Sequence, residues 1–393
     1  MEKTLVGIAT IIPSLVYFLT NWVISTNLSH EEYAHYGFIY QVTNSFLLIF
    51  DLGLTTLFLL RTDEHGDIHK TAISYFSLKL WLGMVLLLFA LPIFFFFSVN
   101  MALYISIAYL TSGLCLFITA YYRTGGFLLG YVVIRIVPQI AFLCVALIFF
   151  KGVNAEVVFF SYSLIYFFLA ITVGWRLLDF GMFCSRSGWK WSWKILCESF
   201  RICISSFFIA IASGFVVEAY FVKLLAPVQL QSTFFLFVQF LMVFNLAQSV
   251  LSNYFMPKSI SLKGGMKKEY LVFIFTLLLP LIVIFLFSPY WIDWFFPRYS
   301  LVLYFIVFLV PVWLVDCFIH YTRIVLYKLN PNAISISYAA SIVGGMVFFG
   351  VNWYVNDGLT LVFLLSGMAF AKLVAISCLI FFYMKIGRNV ENT

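Results

Sequence analysis

Apolar residues in this chain do not alternate with polar ones. They run in blocks of about 18 residues or more, each long enough to carry a helix through a hydrocarbon layer. Loop signals divide the blocks into twelve expected spans, near 4–26, 36–60, 72–98, 101–122, 127–150, 157–177, 201–225, 230–255, 269–288, 300–325, 332–355 and 359–384. Barrel strands would show short segments of alternating polarity, and nothing here does. The first block, MEKTLVGIATIIPSLVYFLTNWVIST, follows a short basic start. It is too long for a signal peptide and has no small-x-small cleavage site, so it is expected to be the first span.

Composition agrees with the pattern. Of 393 residues, 64% are apolar and only 10% are charged, which a water-soluble chain of this length would not tolerate. The fold class expected is therefore an all-α polytopic membrane protein with twelve transmembrane helices. The basic residues give an independent check on that number. With the N-terminus in the cytoplasm, 17 of the 23 Lys and Arg fall in cytoplasmic segments and only Lys151, Lys223 and Arg298 fall outside. Lys79, Arg135 and Lys372 remain within spans. The net charge of +7 is thus a signature of topology, with both termini expected inside, and carries no suggestion of nucleic-acid binding.

The longest connection, DFGMFCSRSGWKWSWKILCES at 179–199, lies at the midpoint. It divides the chain into two expected six-helix bundles, 1–190 (with the central cytoplasmic loop beginning near 179) and 191–393. An even number of spans in each half makes any repeat parallel, related by an axis along the membrane normal. Trp189, Trp191 and Trp193 with Lys190 and Lys194 suit an interfacial amphipathic segment. Seven cysteines are scattered without a CxxC, as small buried hydrophobes or free thiols would be. No P-loop, Gly-rich nucleotide motif or HExxH is present, which argues against ATP hydrolysis and against an enzyme. In DEHGDIH (63–69), His65 and His69 stand four apart, a spacing that a short solvated loop explains without a metal.

Ionisable residues inside spans are expensive to insert, and each needs a partner, water or a ligand. They are Asp51, Lys79, Arg135, Glu218, Asp316 with His320, and Lys372. Counting 1.5 Å per residue from the cytoplasmic ends places Asp51, Lys79, Arg135, Asp316 and Lys372 in one layer of the inner half of the membrane, with Glu218 nearer the outside. One reading is a cavity whose cationic lining, Arg135, Lys372 and Lys79, binds an anionic head group, since Arg matches phosphate oxygens bidentately. Asp51, Asp316 and Glu218 would then balance charge or bind a coupling H⁺ or Na⁺. The other reading is that Asp51–Lys79 or Asp51–Arg135, and Asp316–Lys372, are buried pairs that only lock helices together. No catalytic residue, metal site or cofactor is expected.

Local patterns add a family resemblance. LSHEEYAHYGFIYQVTNSFLLIFDLGLTTLFLLRT (28–62) resembles the opening of the polysaccharide-exporter branch of the multidrug/oligosaccharidyl-lipid/polysaccharide (MOP) superfamily, through Glu31, Glu32, Tyr33, Tyr36, Gly37, Tyr40, Asp51, Gly53 and Arg61. Further likenesses are Glu218 with AYFVKLLAPVQLQSTFF (219–235), NYFMPKSIS (253–261) and WFFPRYSLVLYFIVFLVPVWL (294–314). Phe38 and Ile39 separate Gly37 from Tyr40, one residue more than in the branch, and the second-half Gly-x-Tyr is absent. The resemblance implies a Wzx-type flippase with two six-helix bundles of MATE-like architecture in a bacterial inner membrane. It would move undecaprenyl-pyrophosphate-linked oligosaccharide repeat units to the outer leaflet for O-antigen or capsule synthesis, driven by an ion gradient. Its partners would be that lipid-linked oligosaccharide, membrane lipids, and the polymerase and chain-length regulator of the same pathway.

Two alternatives stand beside it. A multidrug-type antiporter of the same superfamily would want an acidic cavity, whereas the layer holds three cations to two acids. A membrane polysaccharide polymerase would need an intramembrane catalytic group, and His320 is the one histidine within a span.

Overall fold

The structure is a computed structural model of the full chain and describes residues 2–51, 53–60, 67–94, 99–178, 186–213, 215–244, 270–272, 274–275, 279, 282–283, 285–318, 320–355 and 359–391. Among these residues the regular structure is helical throughout, with no strand. Helices pack in two compact units, 1–207 and 208–393.

In the first unit the helices are α1 (Glu2–Asn27), α2 (His30–Asp51), α3 (Leu54–Leu60), α4 (Ile68–Phe94), α5 (Val99–Thr124), α6 (Leu128–Phe149), α7 (Ala155–Gly174) and most of α8 (Arg186–Ser213). α5 is the buried centre, packed against α2, α4, α6 and α7, and α1 lies along α6. The second unit holds α9 (Val216–Leu225), α10 (Val228–Phe244), α11 (Ser288–Phe295), α12 (Val302–Phe318), α13 (His320–Leu329), α14 (Pro331–Val355) and α15 (Leu361–Glu391). There α15 packs on α14, α12, α13 and α9. Among the described residues, six segments are long and apolar enough to cross a membrane: Ile68–Leu88, Val99–Thr124, Leu128–Phe149, Ala155–Leu177, Asn332–Tyr354 and Leu361–Lys385. Val228–Leu241 and Val302–Cys317 are shorter apolar helices.

Two of the apolar blocks are broken where the pattern predicts continuous helices. The second is split between α2 and α3 at Gly53, whose φ of +70° is left-handed. A side chain there would meet the Ser199 carbonyl oxygen at 2.7 Å and the Cys203 amide nitrogen at 2.9 Å. Only glycine permits both the backbone turn and the approach of α8. The seventh block breaks before α9 at Phe215, held at φ +52°. That is an unfavourable conformation for a bulky residue.

The central connection is also more ordered than its polarity suggests. From Arg186 onward it is helical, and α8 runs without interruption into the next apolar block. The reason is a 3.6-residue period: Trp191, Ile195 and Ile202 face the apolar cluster formed by Leu54, Leu57, Phe58, Tyr75 and Leu177. Trp191 meets the Tyr75 ring edge-on at 5.4 Å.

The acidic opening of α2 also has a structural role. Glu32 accepts a hydrogen bond from the Ala155 backbone N–H at 2.7 Å, while Asn154 accepts from Val157 N–H at 3.1 Å. Together they satisfy orphan donors at the start of α7, where a carboxylate also complements the helix dipole.

Candidate functional site

The second unit assembles a buried charge cluster. Asp316 on α12 is 2% exposed and accepts from both Arg323 on α13, at 2.6 Å, and Lys372 on α15, at 2.8 Å, one on each carboxylate oxygen. A single acid thus ties Arg323 and Lys372 together. Arg323 also lies over the Tyr338 ring of α14, 5.4 Å from its centroid. His320 is buried on the same helix as Arg323. Of the pairs expected from sequence, Asp316–Lys372 is present. Arg323, which the count of basic residues puts on the cytoplasmic side, is a buried member of this cluster. Its place was readable: Asp316, His320 and Arg323 are spaced four and then three apart within the expected span 300–325, the spacing of one helical face.

Glu218 belongs to the same unit but not to that cluster. It lies in the first turn of α9, three residues after Phe215, and is 4% exposed. A methyl group at Gly345 would stand 3.9 Å from its Oε1 and 3.6 Å from the Ala371 Cβ. Both are ordinary van der Waals distances, so Gly345 on α14 faces this carboxylate without being crowded by it. Among the described residues, no Lys, Arg or His lies within ion-pair distance of it. Close by, Ser341 donates to the Ala371 carbonyl at 2.7 Å, holding α14 to α15 beside the site.

The first unit arranges its cations differently. Lys79 on α4 is buried and donates to the Thr55 hydroxyl at 2.8 Å. Its ammonium also lies over Phe117, 5.9 Å from the ring centroid. Thr55 stands just after the Gly53 break, so the turn that the motif encodes presents a hydroxyl to Lys79. Asp51 ends α2, and its side chain lies outside the described residues, as do Arg61, His65 and the whole of 253–261.

Arg135 on α6 is half-buried. It donates to the Tyr131 hydroxyl at 3.2 Å and stands over the same ring, 5.9 Å from the centroid. One turn on, Gln139 donates to Tyr166 Oη at 2.9 Å. Tyr166 in turn packs on Tyr162 at 4.7 Å, and Tyr162 on Tyr40 at 5.9 Å. Among the described residues no carboxylate is within ion-pair distance of Arg135. Composition could not distinguish it from Lys79 and Lys372; the difference lies in its neighbours, a tyrosine and a glutamine on adjacent turns. No group of three His, Cys, Asp or Glu side chains able to hold a metal occurs among the described residues. His69 instead bonds the Tyr121 hydroxyl at 2.9 Å, and Asp67 caps the start of α4.

No protein-family model and no curated protein matches the chain. Solved structures do. An inward-facing multidrug-resistance MATE transporter of the MOP superfamily is similar at a TM-score of 0.60, with 15% identity, over 98% of this chain and 99% of its own. An outward-facing one gives 0.61 and 17% identity, over 100% and 97%. A MOP superfamily transporter from Pyrococcus furiosus, described as having a binding pocket of reverse polarity that suggests a different function, gives 0.57 and 15% identity, over 98% and 95%. The likeness is one of fold: an all-helical membrane architecture followed over nearly the whole chain.

Proposed function

We propose that the protein is an ion-coupled membrane exporter whose cargo carries an anionic head group, namely a polyprenyl-pyrophosphate-linked oligosaccharide repeat unit. The observation that carries this reading is the state of Arg135. Of the cations on expected spans, Lys372 is paired with Asp316 and Lys79 is engaged by Thr55. Arg135 has a half-buried guanidinium held by a neutral hydroxyl, with no described carboxylate opposing it. A guanidinium in that state offers its remaining donors to phosphate oxygens. Gln139 and the tyrosines on the neighbouring turn suit sugar hydroxyls, which need donors, acceptors and flat apolar faces.

In this mechanism Arg135 holds the phosphate and Gln139 and Tyr166 orient the first sugar. The polyprenyl tail stays in lipid throughout, so only the head group needs a polar path. Glu218 supplies the coupling step. As a buried carboxylate without a described cationic partner, it is costly when charged and gains from taking up H⁺ or Na⁺. Loading and release of that ion would bias the two ends of the transport cycle, exposing the cargo site alternately to the two membrane faces. Asp316, already shared by Arg323 and Lys372, serves as a helix tie.

A second reading, a multidrug-type antiporter, is favoured by the two MATE structures similar in fold, which are described as multidrug-resistance transporters. Glu218 would then meet cationic drugs as well as the coupling ion. A deletion strain separates the two readings. Loss of surface polysaccharide with accumulation of lipid-linked repeat units, and unchanged drug susceptibility, is the expected result. Drug hypersensitivity with intact surface polysaccharide would favour the antiporter.

A further inference from the structure

We propose that the end of α7 and the start of α8 together form a binding surface for anionic phospholipid head groups, whatever the cargo. Lys190, Trp193 and Lys194 are exposed on α8, and Trp193 keeps 68% of its surface open. Their spacing of three and one puts them on a single face. The same face continues through Cys197, Phe200 and Ile204, all exposed, so that a cationic aromatic band gives way to an apolar stripe along one helix. The opposite face is fixed to the body of the unit: Trp191 against Tyr75, Ile195 buried, and the backbone around Ser199 and Cys203 against Gly53. The band cannot roll inward.

Trp175 and Arg176, both exposed, lie just past the end of α7. The two residues that follow, Leu177 and Leu178, enter the same apolar cluster as Trp191 and Ile195, which puts the two exposed groups at the same end of the unit. Among the described residues, none of Arg176, Lys190 and Lys194 is in an ion pair. Three unneutralised cations beside two open indoles fit the boundary of a bilayer. There indole rings sit at head-group level and Lys or Arg attracts anionic lipid. Inorganic phosphate would satisfy the charges but would leave the apolar stripe and the indoles without a partner.

The test uses the full-length protein in neutral detergent, with phosphatidylglycerol or phosphatidylcholine titrated in and bound lipid counted by native mass spectrometry. Phosphatidylglycerol is expected to bind in preference to phosphatidylcholine, and the preference should weaken as salt rises. Lys190→Gln/Lys194→Gln should lose roughly 25-fold in affinity for phosphatidylglycerol, about fivefold for each surface cation. Arg176→Gln alone, should the double variant fail to fold, is expected to lose about fivefold. Lys151→Gln is the control: Lys151 lies before the other end of α7, 20 residues and about 30 Å away, and should change nothing. Equal binding of the two lipids would overturn the proposal, as would full retention in the α8 variant or an equal loss in Lys151→Gln. Displacement of phosphatidylglycerol by inorganic phosphate at matched concentration would overturn it too.

Discussion

Lys372 and Asp316 lie 2.8 Å apart, joining α15 to α12, and the other oxygen of the same carboxylate is taken by Arg323 at 2.6 Å. One buried acid is therefore shared by two cations, and the three groups together keep a charge of about +1. Lys372 is thus a member of a buried network with Asp316 and Arg323.

Removing the acid is expected to be far worse than removing one base. Asp316→Asn leaves Arg323 and Lys372 facing each other with a neutral amide between them. The cost should be about 3–5 kcal/mol, as for other buried pairs stripped of one partner. Lys372→Met leaves the Asp316–Arg323 pair intact and should cost clearly less. Thermal melts of both variants in detergent check the order, which a free substrate-binding role for Lys372 would not require.

The Gly53 break should be intolerant of any side chain. Gly53→Ala meets the Ser199 carbonyl oxygen at 2.7 Å and also forces a left-handed backbone. Gly126, at φ +76°, has nothing within 4 Å of the same position. Gly126→Ala should therefore lose only the conformational term, about 1 kcal/mol. Gly53→Ala should lose that and the packing of α8 besides. Membrane yield and melting temperature of the two variants measure the difference.

Glu32→Gln tests the cap on α7. The substitution keeps the shape of the side chain but removes the charge that accepts the Ala155 N–H. A loss of about 1 kcal/mol is expected from the weakened cap and helix-dipole interaction. Faster hydrogen exchange at the first turn of α7 should accompany it, with α4 and α5 unaffected.

Glu218→Gln should separate stability from coupling. Replacing a buried carboxylate that has no described cationic partner by a neutral amide relieves a burial cost, so the melting temperature should hold or rise. Gradient-driven transport should nevertheless collapse to the passive rate. A variant that melts early, or that still responds to an imposed ion gradient, would remove Glu218 from the coupling step.

Much of the fold is legible in the sequence because the signal is redundant. Apolar blocks of span length and the sidedness of Lys and Arg each lead to the same helical membrane class. The breaks were less legible. Gly53 advertises a turn, but its reason is the backbone of α8, nearly 150 residues later. Phe215 carries no local sign of a left-handed residue. α8 was half hidden because a helix that is polar on one face and anchored by Trp191 reads, by hydropathy alone, as a loop. In the site, the charged residues were visible as costly exceptions within apolar blocks. What each one touches was not visible. Pairing depends on which helices are neighbours, and periodicity does not specify that. Thus Arg135 and Lys372 looked equivalent in sequence and differ in the structure, one held by a tyrosine hydroxyl and the other by a carboxylate.

The most direct measurement is translocation in proteoliposomes. The purified protein would be reconstituted with a polyprenyl-pyrophosphate-linked oligosaccharide, and delivery to the opposite leaflet read by a membrane-impermeant sugar-modifying enzyme under an imposed ion gradient. Wild type is expected to move the lipid, with Arg135→Ala reduced at least tenfold and Arg135→Lys intermediate, since an ammonium keeps the charge but not the bidentate fork. Absence of translocation by well-folded wild type, together with gradient-driven efflux of a cationic dye, would contradict the proposed cargo and establish the antiporter in its place.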